Sequence, residues 1–184
     1  MPDRITTRFV DSIKAVPAAA WNGLDLAGNP FLRHEFLLAL EESGCVDGKS
    51  GWASQHLLIE QGGRLLAAAP VYVKQHSYGE YVFDWAWAYA YQRAGLRYYP
   101  KLVVAVPFTP VTGPRLLLAP GADEAALLAT ASEALIAHAK ALRASSVHWL
   151  FPPERQTTAL AGGQWLQRVV HQLHWENRGY GSFE

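Results

Sequence analysis

The chain has 184 residues, 50% hydrophobic and 17% charged, which is enough apolar material for one domain with a real core. Its 16 basic and 16 acidic residues cancel, which excludes a global basic field for nucleic acid or anionic membranes and leaves room only for a local patch. A lone cysteine, Cys45, excludes an intramolecular disulfide framework and suits a reducing cytoplasm, as it also would a cysteine-poor periplasmic protein.

No stretch approaches the roughly 18 uninterrupted apolar residues of a membrane span, and the first ten residues carry no apolar signal region. Residues 5–10 read as a first strand. Pro17 ahead of Ala18, Ala19, Ala20 and Trp21 reads as a short helix with proline in its first turn. The next helix is expected to start with Asn29 as N-cap and Pro30 as first helical residue. It runs through Leu32, Phe36 and Leu40 and closes at Gly44. Its His34 and Glu35 read as a helix surface pair before they read as cleft residues.

Residues 57–61 and 64–74 are β-rich and joined by Gly62-Gly63, a two-residue hairpin signal. In the second of these strands both alternating sets are apolar, so both faces should be covered. Pro70 removes a donor and predicts a bulge or local splay. The insert over residues 75–99 is dense in rings: nine of the 7 Trp, 8 Tyr and 7 Phe fall between Tyr78 and Tyr99. Phe83, Trp85, Trp87, Tyr89 and Tyr91 alternate as in a strand. Asp84 as a cap, the intervening alanines and Gly95 as a stop nevertheless favour a helix, which is the expectation here.

Residues 101–106 then form a strand, 106–114 a rigid Pro/Gly loop and 115–118 a strand continuation. The strongest helix is expected over 123–143, opened by acids and striped by Leu128, Ala131, Leu135, Ala139 and Leu142, with Lys140 and Arg143 at its C-terminal end. A buried strand over 146–151 and a short helical segment from Pro152-Pro153 follow. A long strand over 164–175, with Trp165, Val169 and Leu173 on one face, completes the chain. The fold class is α/β in the α+β sense: one domain over residues 1–184, a mixed but mostly antiparallel sheet flanked by helices. Its order is β-α-α-β-β-insert-β-α-β-α-β.

Spacing sets several chemistries aside. His171 and His174, three apart in an expected strand, fall on opposite faces, and the chain has no HExxH, CxxC, GxSxG, GxGxxG or GxxxxGK[ST]. The run His76-Ser77-Tyr78-Gly79-Glu80-Tyr81 differs, because proton-handling side chains sit beside a flexible glycine at a strand end, where sheets open onto clefts. Desolvation among aromatic rings would raise the pKa of Glu80 or Asp84 and make a usable general base. The blander alternative has Asp84 as a helix cap and Glu80 in solvent. Glu80 is the candidate catalytic residue. His76, Tyr78, Tyr81, Asp84, Trp85, Tyr99 and Lys101 are candidate pocket and anion contacts, joined by Phe108, Thr109 and Thr112 in the Pro/Gly loop. His174 and Glu176 share a face at the end of the last expected strand, as a site or as a capped edge.

The strings NPFLRHEFLLALEESG, GWASQHLLIEQGGRLLAAAPVYVKQHSYGEYVFDWAWAYAYQRAGLRYYPKLVVAVPFTPVTGPRLL and HWENRGYGSF resemble the bacterial FemAB-like predicted N-acyltransferases, grouped with peptidoglycan biosynthesis or recognition proteins. The resemblance implies a tandem fold of the Gcn5-related N-acetyltransferase type, acyl or aminoacyl transfer to an amine such as a cell-wall precursor, and no metal. Members are generally about twice as long. The expected partner is therefore a missing C-terminal half or a second copy, as in a homodimer. The co-substrate implied is acyl-coenzyme A or an aminoacyl-tRNA. PVTGPRLLLAPGADE stands where ordinary acetyltransferases carry the Q/RxxGxG/A loop that holds the coenzyme A pyrophosphate, and zero net charge gives tRNA little support. The alternative is a non-catalytic binding or dimerisation module that uses the aromatic surface from Tyr78 to Tyr99.

Overall fold

A computed structural model describes residues 4–171, 173 and 175–182. Strand β1 (Ile5–Val10) leads through a 3-10 turn to the short helix α1 (Ala18–Asn22) and then to α2 (His34–Glu42). Next comes one long hairpin that changes partners halfway. One arm carries β2 (Trp52–Ser54) and β3 (His56–Gln61), the other β4 (Arg64–Ala69) and β5 (Val71–Lys74). Gly62 and Gly63, at φ of 55° and 76°, make the turn with backbone angles that side chains resist.

Pro70 has no amide to donate, so the arms part there and opposite it at Gln55. Gln55 N donates to Val71 O at 2.8 Å and Ala105 N to Pro70 O at 3.1 Å. The hairpin therefore feeds two four-stranded sheets. The first has the order β1-β3-β4-β7 and is antiparallel throughout, with β7 (Leu117–Leu118) at its edge. The second has the order β2-β5-β6-β8. There β6 (Lys101–Val104) is antiparallel to β5 and parallel to β8 (Val147–Trp149) across the crossover helix α4 (Glu124–Ala141). Helix α3 (Trp85–Arg93) lies in the insert and α5 (Glu154–Ala161) follows β8. The splay at Pro70 and the mixed α+β class agree with expectation.

Both faces of the first sheet are covered, as two apolar alternating sets require. Leu57, Ile59, Ala67 and Ala69 pack with Leu128, Ala131 and Leu135 of α4. The opposite set, Leu58 and Ala68, packs with Trp21, Leu32 and Leu37. Helix α2 is tied down by the half-buried carboxylate of Glu41. Ser12 Oγ and Ile13 N donate to Glu41 at 2.6 and 3.1 Å, Ser54 Oγ donates at 2.7 Å, and His56 Nε2 lies 3.1 Å away. Burial alone would push the Glu41 carboxyl up, but these hydrogen bonds outweigh it and hold the pKa at about 2.

Several elements differ from expectation for identifiable reasons. Asn29 caps only a 3-10 turn, Pro30–Leu32, and α2 starts separately at His34, whose amide donates to Asn22 Oδ1 at 2.9 Å. His34 is buried, with Nε2 between Ile13 O and Val16 O, while Glu35 is exposed. Leu142, placed on the α4 stripe by periodicity, is the C-cap and is exposed. The strand expected over 146–151 is the half-buried β8. No strand forms among the described residues of 164–175, and Leu166 and Leu173 are 94% and 102% exposed. Alternating apolar residues cannot make a strand without a neighbour to bond.

Candidate functional site

Register in the second sheet sets Lys74 of β5 opposite Lys101 of β6, both with no exposed surface. Two buried ammonium groups on neighbouring strands need counter-charge. The loop between β5 and α3 supplies it. Lys101 Nζ donates to Glu80 Oε2 at 2.8 Å, Asp84 Oδ2 at 2.5 Å and Ser77 Oγ at 2.9 Å. Tyr98 Oη donates to Asp84 Oδ2 at 2.6 Å, and Ser77 Oγ meets Tyr99 Oη at 2.8 Å. Lys74 Nζ donates to Tyr78 O at 3.1 Å and sits 3.8 Å above the Trp52 ring.

Burial raises the Glu80 carboxyl against the pull of Lys101, and the neighbouring charge of Asp84 raises it further. At Asp84 burial also pushes up, but hydrogen bonds from Lys101, Ser77 and Tyr98 win and hold it low. Burial and the repulsion of Lys101 bring Lys74 down to about 8, with Glu80 opposing. Each carboxylate keeps one buried oxygen without a partner, Glu80 Oε1 and Asp84 Oδ1. In most folded proteins such atoms are satisfied.

Beside the cluster lies an aromatic groove of about 410 Å³, walled by His76, Trp85, Tyr89, Arg97, Tyr98 and Tyr99. Tyr99 connects the two. Its hydroxyl reaches Ser77, which in turn receives Lys101. A separate hollow of about 390 Å³ opens where β8 meets α5 and residues 165–170. His148 lines it, brought down to about 4 by burial and by Lys101, and thus neutral at physiological pH.

Of the residues singled out in the sequence, Glu80, Asp84 and Lys101 meet in one cluster, and Tyr99 links it to the groove with His76 and Trp85. Asp84 stands at the N-cap of α3 but spends its carboxylate on Lys101 and Tyr98, because a buried cation is a stronger partner than a helix amide. Glu80 is buried, not solvated. Lys101 is occupied by protein carboxylates, so it does not present a bare cation to an anion.

Tyr78 leans edge-on against His76 and Trp85, while Tyr81 is exposed. Phe108 tilts against Trp52, Thr109 turns onto Pro107 O, and Thr112 lines the other hollow. Glu176 is exposed, and His174 lies outside the described residues. Sequence reasoning missed Lys74 and Arg115. The signal for Lys74 was available: a lysine ends an apolar run, as Lys101 begins the next. Arg115 is fully buried and donates to Leu150 O at 2.5 Å, Gly113 O at 3.0 Å and Val111 O at 2.7 Å, which holds the 107–114 loop on the end of β8. Burial lowers its pKa to about 10.

No helix among the described residues is long and apolar enough to cross a membrane. No curated protein and no solved structure matches the chain. A family model described as FemAB-like, peptidoglycan biosynthesis/recognition, matches residues 12–184. Among the described residues that match takes in every strand from β2 onward, all five α-helices and the whole Lys101 cluster, and on it the chain belongs to the FemAB-like family of peptidoglycan biosynthesis and recognition.

Proposed function

We propose that the chain is a cytoplasmic N-acyltransferase half that moves an acyl or aminoacyl group onto the amine of a cell-wall precursor. The observation that carries this reading is the pair of unpartnered oxygens, Glu80 Oε1 and Asp84 Oδ1, buried beside two lysines and next to an aromatic groove. A buried acceptor left without a donor costs about 1–3 kcal/mol. An incoming amine supplies the missing donors to the two unpartnered oxygens.

Glu80 takes the proton. Its raised pKa brings the carboxylate closer to the range in which a base works near neutral pH. The freed amine nitrogen attacks the acyl carbonyl carbon, the new C–N bond forms, and the bond to the carrier breaks; Glu80 returns its proton to the departing group, and the second proton that the nitrogen sheds on becoming an amide is released to water. The run Tyr99, Ser77, Lys101, Glu80 connects the groove wall to this base. Positioning supplies most of the rate. The acyl donor is an acyl-coenzyme A or an aminoacyl-tRNA, and a second half or second copy completes the site.

Glu80→Gln is expected to lower transfer by about 100-fold while the melting temperature moves by no more than a few degrees; undiminished transfer removes Glu80 from the role. A thermal-shift screen of acyl-coenzyme A species, charged tRNA and cell-wall precursors finds the substrates, since a ligand at 100 times its Kd adds about 2.7 kcal/mol. One observation favours the binding-module alternative: neither Glu80 nor Lys101 lines the groove itself. Glycan binding that survives Glu80→Gln, with no turnover by the unmodified chain, selects that alternative.

A further inference from the structure

Helix α3 buries none of its residues, although four of its nine are Trp or Tyr. With 3.6 residues per turn, a ring at every second position cannot gather on one face. Asp84, Ala88 and Tyr91 turn toward the body of the protein. Ala86, Ala90 and Arg93 form an exposed outer ridge, with Trp85 and Tyr89 on one flank and Trp87 on the other. The adjoining loops add exposed Tyr78, Tyr81, Phe83 and Leu96, of which Phe83 is 78% exposed. Clustered exposure of this kind marks an interaction surface.

Two of the exposed rings stand on unfavourable backbone. Tyr81 at φ 60° and Phe108 at φ 58° occupy the left-handed region that side chains resist, and Phe108 N bonds Gly79 O, which places the two loops together. Neither the strain nor the exposure contributes to folding stability. Charge narrows the occupant. Between residues 78 and 97 the acids Glu80 and Asp84 are buried, so Arg93 and Arg97 are the only exposed charges. A twofold contact between copies would face arginine with arginine and offer no acid to either. Trp and Tyr, apolar bodies with polar tips, suit the headgroup level of a bilayer, where arginine meets lipid phosphate.

We propose that α3 and its flanking loops form a peripheral docking surface for an anionic membrane, with the rings at the interface and Arg93 and Arg97 on the lipid phosphates. Trp85, Tyr89, Leu96 and Arg97 of this surface also wall the groove, so docking brings that groove to the membrane plane.

The test is sedimentation of the chain with vesicles of phosphatidylcholine, alone or mixed equally with phosphatidylglycerol, at low and high salt. Partition should be at least tenfold stronger on the anionic vesicles and should weaken with salt. Arg93→Glu should reduce it about fivefold or more, and Phe83→Ser with Trp87→Ser should reduce it further. The tryptophan emission of the unmodified chain should shift blue and be quenched by brominated lipid, a readout that needs no variant to fold. Absence of sedimentation with either vesicle overturns the proposal, as does binding of equal strength to both. A concentration-dependent dimer that protects these rings, or an acidic protein that competes for them with no lipid binding, also overturns it. None of these readouts involves acyl transfer, so the result stands apart from the fate of Glu80.

Discussion

The carboxylate of Glu41 and those of Glu80 and Asp84 lie in two buried polar clusters built from similar groups, yet they end differently. Glu41 accepts from Ser12, Ile13, Ser54 and His56, and neither of its oxygens is left over. Glu80 and Asp84 share one lysine and each retains a buried oxygen without a donor. The first cluster joins the N-terminal turn, α2, β2 and β3, elements already packed by Trp21, Leu32, Leu37 and Leu58. The second joins sheet strands to a loop and to a helix that buries none of its own residues. The difference teaches which cluster is structural. A carboxylate with both oxygens bonded ties elements together, although His56 Nδ1 beside it has no partner, whereas carboxylate oxygens left over beside a groove mark a place where something else binds.

The largest blow to this comparison is Lys101→Met, which leaves two buried carboxylates facing each other. It should cost about 3–5 kcal/mol in urea unfolding, and adding Glu80→Gln and Asp84→Asn should recover most of it. A loss below about 1 kcal/mol would mean that the cluster is not buried in solution.

Next comes acid. The folded pKa of Glu41 is depressed from 4.5 to about 2, so its contribution is fully present above pH 4.5 and is lost as pH falls toward 2. The loss is on the order of 3 kcal/mol, and Glu41→Gln should flatten that part of the stability profile. A profile identical in the two proteins would break the structural assignment of Glu41.

A smaller effect comes from Gly79→Ala. Gly79 sits at φ 79°, and an added Cβ would meet the Phe108 ring at 2.6 Å. The change shifts the loop that carries Glu80 without touching a charge and should cost about 1–3 kcal/mol. The Glu41 acid step should stay in place, which separates the two clusters experimentally. Smallest is Glu80→Gln, about 1 kcal/mol in unfolding, because Lys101 keeps Asp84 as partner.

Periodicity and proline chemistry made much of the fold legible. The α4 stripe, the Gly62-Gly63 hairpin and the parting at Pro70 follow from local rules that tertiary packing reinforces. Where a local rule met a stronger long-range partner, the partner won. Asp84 left its capping role for Lys101, and α2 began at His34 because Asn22 on another helix took its amide. The final segment shows the reverse case, in which an alternating pattern found no described strand to pair with.

For the site, the sequence pointed to Glu80, Asp84, Tyr99 and Lys101 but not to how they are joined. Lysines at the ends of apolar runs and carboxylates in a ring-rich loop are local facts, readable in order along the chain. That Lys74 and Lys101 stand side by side depends on the antiparallel register of β5 and β6, and that one cation holds two carboxylates depends on how the loop closes over them. Composition determined that there would be a core, two covered sheet faces and an aromatic insert, because burial and backbone geometry act residue by residue. Only the folded chain decided which charges lost their water together, because desolvation belongs to the place where groups meet and not to any one of them.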